Sequence, residues 1–420
     1  MRILSVVSTR PELVKMAPVL KELRRRGVES VFVTTGQHYD AALFRDFVSE
    51  LGLPEPDENL MVGSGSQAYQ TGESLKRLEA VVGKYAPDAV LAEGDTNSVL
   101  AAALASQKLL VPFGHVEAGL RSFDRTMPEE INRIMADNCS EALFAPTETS
   151  ALNLLLEGIP RRKVFVTGNT IVDACMQNVG MARKKSHVTA GLGFRDFVVF
   201  TCHRKENTTP EKLAAIVKVL AAIRRNVVFP VHPRTRELLK KAGLYGRIEA
   251  MGHVRLLRPL GYVDFLALMD ASRAVVTDSG GLQEEAAVLG KKCVVLRENT
   301  ERPEALDCSA VLAGMDAGRV AAALKDVRVK KAPCPFGDGR AAERIVSILR
   351  KGGLCVEQSS FVGKGYPEYS LVRAGGFAGK SVAEFERRNR GVQVIFANGK
   401  PHYPDPKRVL RRGDELLIKG

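Results

Sequence analysis

Tryptophan is absent from this chain of 420 residues, and tyrosine occurs only 8 times. Nucleic-acid surfaces commonly interleave basic residues with aromatics on which bases stack. The excess of 61 Lys and Arg over 48 Asp and Glu, a net charge of +13, is therefore not read as a nucleic-acid footprint. Clusters such as Arg24-Arg25-Arg26 and Lys330-Lys331 read as solvated helix ends and loops. The charge still favours acidic partners, nucleotide sugars among them. Cysteine is scattered, with 7 in all and no CxxC pair, which argues for reduced thiols in a cytoplasm and against a disulfide framework or zinc site. No apolar run is long enough to insert in a membrane. The run after Met1 is too short for a signal-peptide core and lacks a small-residue cleavage site, so no leader is expected. HxH and HExxH spacings are missing, so no metal is expected, and no GxGxxG marks a dinucleotide site. Gly379-Lys380-Ser381 resembles the end of a Walker A loop, but Ala374 stands where its first Gly belongs. Ser279 lies outside any GxSxG context, which argues against a hydrolase nucleophile.

What is present is a long alternation of short apolar strands and amphipathic helices. Arg2–Val7 reads as a buried strand followed by a helix with Leu13, Met16, Val19, Leu20 and Leu23 on one face. Further strands are expected at residues 31–35, 88–92, 111–115, 142–145 and 164–167, with helices between them. A second series begins at Phe197, with strands at 197–201, 227–231, 274–277 and 293–296 and a closing helix at 340–349. This spacing predicts parallel, doubly wound sheets. The α/β class follows: two Rossmann-like domains facing a cleft, at residues 1–170 and 171–350, and a small α+β appendix at 354–420. In the appendix, strands are expected at 369–373, 392–397 and 415–418, a helix at 380–388 and a hairpin turn at Asn398-Gly399.

The stretch from Val275 to Gly290 runs from strand through Thr277-Asp278-Ser279-Gly280-Gly281 into a helix. A strand that turns through small residues into a helix presents free N–H groups and a positive dipole end to an anion. An ordinary turn that needs glycine for positive φ is the alternative. Other strand ends carry Arg10, Asp95, Glu117, His203 and His232, with Lys15, Glu130 and Arg302 on nearby helical or loop segments. In doubly wound sheets, ligands bind outside the strand carboxyl ends. Several carboxylates beside a histidine suit proton abstraction and return at carbon, and the cations suit a leaving diphosphate. Each acid also has a plain structural alternative: Asp95 as a helix cap, Glu130 as a favourable first-turn charge, and the histidines as core-edge residues.

Taken in order, these motifs resemble the non-hydrolysing UDP-N-acetylglucosamine 2-epimerases. They are Thr9-Arg10-Pro11-Glu12, Gly94-Asp95-Thr96, His115 to Arg121, Pro128-Glu129-Glu130, Asn132-Arg133, Gly168-Asn169-Thr170, His203-Arg204, Asp278 to Glu285 and Glu301 to Glu304. The resemblance implies a GT-B fold and loss and return of UDP through a 2-acetamidoglucal, without NAD or metal. It implies Asp95, Glu117, Glu130 and His203 as the acid/base and charge-stabilising group. Arg10, Lys15, His232, Ser279, Gly280, Gly281 and Arg302 would hold the diphosphate and sugar, Glu285 the ribose diol, and Phe265 the uracil. Leu260 stands where bacterial members often carry a Gln near the uracil. Substrate activation at a second site is put in doubt by Asp40 and Ala41 within Gln37 to Ala41, and by Ser64 where an Arg is usual. Within the same fold, a 2-epimerase of a 2,3-diacetamido uronic acid derivative and a hydrolysing epimerase stay open. A non-catalytic nucleotide-sugar sensor is the reading from another class.

The appendix resembles a TrkA-C or RCK-C ligand-binding domain, on Gly379 to Phe385, Val392 to Ile395, Pro404-Asp405-Pro406 and Gly413 to Leu417. This implies dimerisation, here a homodimer, or a small-molecule ligand; a structural add-on without ligand is the alternative.

Overall fold

The structure, a computed structural model, describes residues 1–36, 41–329, 333–352, 369–387, 389, 391–398 and 400–419. Gln37-His38-Tyr39-Asp40, Lys330-Lys331, Arg388 and Gly399 lie outside the described residues. The first series runs β1 (Arg2–Val7), α1 (Arg10–Arg25), β2 (Glu29–Thr34), α2 (Ala41–Glu50), β3 (Glu58–Asn59), α3 (Gln67–Tyr85), β4 (Ala89–Glu93), α4 (Asn97–Lys108), β5 (Phe113–Val116), α5 (Pro128–Asn138), β6 (Ala142–Ala145), α6 (Glu148–Leu156) and β7 (Val164–Val166). Helix α7 (Thr170–Lys185) leads into the second series: β8 (Phe197–Thr201), α8 (Pro210–Ala222), β9 (Asn226–Pro230), α9 (Pro233–Lys241), α10 (Tyr245–Glu249), β10 (Val254–Leu257), α11 (Tyr262–Ala271), β11 (Ala274–Thr277), α12 (Gly280–Val288), β12 (Lys292–Val295), α13 (Pro303–Cys308), β13 (Ala310–Leu312), α14 (Ala317–Ala323) and α15 (Ala341–Arg350). The tail holds β14 (Tyr369–Arg373), α16 (Val382–Glu386), β15 (Val392–Ala397), β16 (Lys400–His402) and β17 (Glu415–Lys419).

The first sheet is parallel, ordered β3-β2-β1-β4-β5-β6-β7, and the second parallel, ordered β10-β9-β8-β11-β12-β13. Both are doubly wound, as the alternation predicts. The central strands β4, β8 and β11 are buried along their whole length, which is why they read as unbroken apolar runs. The strand order reverses between β1 and β4 in one sheet and between β8 and β11 in the other. Such switch points open a crevice at the strand carboxyl ends, and the candidate residues cluster there.

Helix α7 joins the two units, packing against α1, α11, α12 and α15. Helix α15 follows the second sheet in sequence yet packs on α1 of the first unit. A single apolar cluster therefore unites Met16 and Val19 of α1, Cys175 of α7, Leu266 of α11, Ala286 of α12 and Ile345 and Leu349 of α15. A second tie lies at the other rim, where Glu50, the last residue of α2, accepts from the Val263 N–H of α11 at 2.7 Å.

The tail sheet is antiparallel, ordered β14-β17-β15-β16. It is seated on the first unit. Val394, Phe396 and Leu417 pack with Leu154, Leu155, Ile159 and Val164. Gln393 donates to the Ile159 carbonyl at 2.8 Å, and Arg161 bridges the Glu386 carboxylate and the Pro404 carbonyl. Ala397 lies opposite Lys400 and Asn398 has φ +52°, which fits a two-residue hairpin. Strands β10, β13 and β16 go beyond the sequence expectation. They are three or four residues long and lie at or next to a sheet edge, too short to show a period.

Candidate active site

Helix α1 begins with a capping box. The Glu12 carboxylate accepts from Ser8 N–H and Ser8 hydroxyl at 2.6 Å each and from Thr9 N–H at 3.1 Å. With Pro11 in the first turn, this fixes the chain as it leaves β1. Lys15 then points inward, buried. Its ammonium lies 2.7 Å from Glu93 Oε1, at the end of β4, and 2.7 Å from Glu117 Oε2, just after β5. Glu117 has φ +70°, a left-handed conformation that is costly for a side chain other than glycine and recurs at functional sites.

Arg302 of the second unit meets this cluster directly, and Asn169, at the junction of the two units, joins it. Arg302 Nη2 lies 3.2 Å from Glu117 Oε1, and its Nε 3.5 Å from Glu284 Oε1. Asn169, the N-cap of α7, donates to Glu117 at 2.9 Å and to Glu284 at 2.8 Å. Burial would raise the Glu117 carboxyl, but Lys15 and Arg302 outweigh it and hold it well below the usual range. Burial would likewise lower Lys15, but Glu117 and Glu93 hold its ammonium well above its ordinary value. Glu117 is thus an ionised carboxylate clamped between one cation from each unit.

Asp95 and Glu130 form a neighbouring group joined by Arg133, at 2.9 Å and 3.5 Å respectively. Asp95 does not cap α4: the cap position is Thr96. Glu130 accepts from Ser122 N–H and hydroxyl, each at 3.0 Å, and from Phe123 N–H at 2.9 Å, so it pins the loop before α5. The Asp95 charge also acts on Arg302.

Across the cleft, buried Asp278 accepts from His203 N–H at 3.0 Å and Arg204 N–H at 2.9 Å, and lies 3.3 Å from His203 Nδ1. The His203 side chain remains 41% exposed, and its ring sits 5.8 Å from that of His232. His232 caps α9 by accepting from Arg234 N–H at 3.3 Å.

The Ser279 turn decides between the two readings of its glycines. Neither Gly280 nor Gly281 has positive φ, so turn geometry does not require them. A Cβ on Gly280 would lie 2.9 Å from Arg302 Nη1, whereas one on Gly281 would enter open space. Gly280 admits the arginine, and Gly281 leaves the start of α12 open. Ser279 makes no side-chain cap, so the first N–H groups of α12 keep their capacity for an acceptor.

Of the remaining candidates, Glu285 is buried and pushed up to about 7, with Tyr262 beside it acting in the opposite direction. Phe265 is half-buried on α11, packed with Leu192, Phe197 and Leu268. Arg10 lies over the Phe47 ring at 5.7 Å, at the rim rather than in the buried cluster. Sequence reasoning gave no role to Glu93, Asn169, Glu284 or Asp278. Their signal was position alone: Glu93 ends a strand, Asp278 and Asn169 border turns, and Glu284 lies one turn into α12.

Two doubly wound units closing on a buried charged cluster, beside an open helix N-terminus, define a GT-B-type enzyme of anionic, nucleotide-linked ligands. The chain belongs to the UDP-N-acetylglucosamine 2-epimerase family, whose profile matches residues 21–350. It is 42% identical over 364 residues to UDP-N-acetylglucosamine 2-epimerase of Methanocaldococcus jannaschii, covering 84% of this chain and 100% of that protein. It is 39% identical over 371 residues to UDP-2,3-diacetamido-2,3-dideoxy-D-glucuronate 2-epimerase of Pseudomonas aeruginosa, covering 84% of this chain and all (100%) of that one. The crystal structure of the Methanocaldococcus jannaschii enzyme in complex with UDP-GlcNAc and UDP superposes with a TM-score of 0.79 at 41% identity, covering 84% and 100% of the two chains. Among the described residues, no helix is long and apolar enough to cross a membrane.

Proposed function

We propose that the protein interconverts UDP-N-acetylglucosamine and UDP-N-acetylmannosamine. A carboxylate takes the C2 proton; the C–H electron pair forms the C1=C2 bond as the C1–O bond breaks, giving 2-acetamidoglucal and UDP. A proton then returns to the opposite face of C2, and a UDP oxygen re-adds at C1. The supporting observation is the ionised, strained Glu117 held between Lys15 and Arg302, next to the open start of α12. Asp95, Glu130 and His203 complete the acid/base and charge-stabilising set. Arg10, Lys15, His232, Ser279, Gly280, Gly281 and Arg302 hold the diphosphate and sugar, Glu285 the ribose diol, and Phe265 the uracil side. The chemistry calls for neither NAD nor a metal.

Incubation with UDP-GlcNAc in D2O, followed by NMR, tests this. Deuterium at C2 with a mixture of the two UDP-sugars is expected. Free sugar with UDP would indicate hydrolysis, and absence of exchange would reject an epimerase. The 39% identity to the Pseudomonas enzyme supports a second substrate reading, so its 2,3-diacetamido uronic acid UDP-sugar belongs in the same assay; faster exchange there reassigns the substrate.

We take the units as residues 1–170, 171–350 and 354–420, on the membership of the three sheets, and the protein as cytoplasmic. The tail's resemblance to ligand-binding domains supports a small-molecule ligand there and a homodimer. Leu371, 57% exposed on the edge strand β14, supports self-association; light scattering reads the mass.

A further inference from the structure

The buried cluster holds more acid than base. Glu93, Glu117 and Glu284 are 1%, 7% and 0% exposed, and two cations, Lys15 and Arg302, face them. Three carboxylates against two cations leave one negative charge uncompensated where water does not reach, which is costly. A proton on one carboxyl removes that cost.

The contacts indicate which one. Glu117 Oε2 meets Lys15 at 2.7 Å, and its Oε1 meets Asn169 at 2.9 Å and Arg302 at 3.2 Å. Glu284 Oε1 meets Asn169 at 2.8 Å and Arg302 Nε at 3.5 Å. Glu93 has a single cationic partner, the Lys15 ammonium at 2.7 Å on Oε1, and shares it with Glu117, whose carboxylate lies within side-chain hydrogen-bond reach of it, a contact that needs a proton on one of the two acids; Oε2 of Glu93, like that of Glu284, is buried without a further partner. Beyond that shell, Asp95 is paired with Arg133, and on β5 His115 is paired with Asp137, its other ring nitrogen on the Gly94 carbonyl.

We propose that Glu93 carries the proton in the resting enzyme and acts as a neutral positioning residue. It holds Lys15 in place without competing for its charge, which leaves the full ammonium to Glu117. This deepens the epimerase reading and rests on it for the role of Glu117. The electrostatic balance agrees: burial, with the Glu117 charge added, pushes Glu93 well above the carboxylate range despite Lys15. When Glu93 ionises as pH rises, the ammonium is divided between two carboxylates. The site then gains a negative charge opposite an incoming diphosphate, and turnover falls.

Infrared difference spectra between wild type and Glu93→Gln test the proposal. They are taken above neutral pH, where Glu284 and Glu285, each pushed up to about 7, have largely lost their protons. The wild type is expected to show a carboxylic-acid C=O band that Glu93→Gln lacks and Glu93→Asp regains. The alkaline limb of the kcat/KM profile for C2 exchange should move upward in Glu93→Gln, because an amide cannot ionise. A difference spectrum showing loss of carboxylate bands instead of the acid band overturns the proposal, as does an unmoved alkaline limb in a variant with native Tm and UDP affinity. The infrared measurement needs no turnover. A chain that failed to epimerise UDP-GlcNAc would still reveal where the proton sits.

Discussion

At the scale of single residues, the charge on Glu117 matters more than its shape. Glu117→Gln keeps the volume and the left-handed backbone demand but removes the charge that Lys15 and Arg302 clamp. C2 proton exchange is expected to fall by about a hundred- to ten-thousandfold, the usual range for a lost general base, with UDP affinity changed less than about threefold. Equal loss of UDP affinity and exchange would place Glu117 in binding instead. Glu285 makes a prediction with a definite sign. Its carboxyl is raised from an ordinary 4.5 to about 7, so its contribution to stability is present below pH ~4.5 and is lost as pH rises through 7. Ribose hydroxyls donate more strongly to the ionised form, which accepts on both oxygens. UDP-GlcNAc, whose diphosphate does not titrate near neutrality, should therefore bind more tightly as pH rises toward 7, by up to about tenfold per unit. Titration calorimetry should show proton release on binding at pH ~6, and Glu285→Gln should remove that part of it. The charged rim of the site was legible in sequence because Arg10, Asp95, Glu117, His203 and Ser279 each follow an apolar strand. The clamp was not legible. Lys15 meets Glu93 and Glu117 because β1, β4 and β5 are neighbours in one sheet, and Arg302 and Glu284 join them only because the two units face each other; no spacing along the chain encodes either.

Among the elements, α12 carries the sharpest test. It begins without a side-chain cap, and Gly281 has room for a methyl group without contacting protein within 4 Å. Gly281→Ala should therefore fold normally, with Tm within about 2 °C, since alanine is the better helix former. The same methyl would stand where an anion approaches the helix N–H groups, so the Kd for UDP is expected to rise about tenfold, or ~1.4 kcal/mol. Unchanged UDP binding would mean that α12 is an ordinary turn into a helix and that the diphosphate lies elsewhere. Long elements were readable because burial imposes a period. Helix α1 showed Leu13, Met16, Val19, Leu20 and Leu23 on one face, and β8 and β11 were unbroken apolar runs. Strand β10 was not readable, since only Val254 of its four residues is fully buried. Nor was the start of α3, where none of the residues from Gln67 to Glu73 is buried before Ser74.

For the whole molecule, the question is what holds the two units around the ligand. One side is permanent: α7 and α15 share an apolar core with α1, and such a core does not open without unfolding. The tail sheet is tied to the first unit by the hydrogen bonds of Arg161 and Gln393. The other side is a polar contact, Glu50 of α2 accepting from Val263 N–H at 2.7 Å. A carboxylate at a helix N-terminus satisfies an unpaired donor and meets the dipole, worth roughly 0.5–2 kcal/mol. That is small beside the global stability but comparable with the energies that set domain-closure equilibria. Gly261 lies under the same carboxylate, where a Cβ would come within 2.9 Å of it, so both partners fit the contact. Glu50→Ala should shift the unliganded enzyme toward an open arrangement, seen as a larger radius of gyration by small-angle scattering. KM for the UDP-sugar should rise about three- to tenfold, kcat should change little and Tm should be nearly native, because saturating ligand restores closure. Glu50→Gln, which keeps an acceptor oxygen, should recover much of the loss. If Glu50→Ala leaves both scattering and KM unchanged, the contact is incidental, and closure is set by Arg302 reaching Glu117 and Asn169 reaching Glu284 across the cleft.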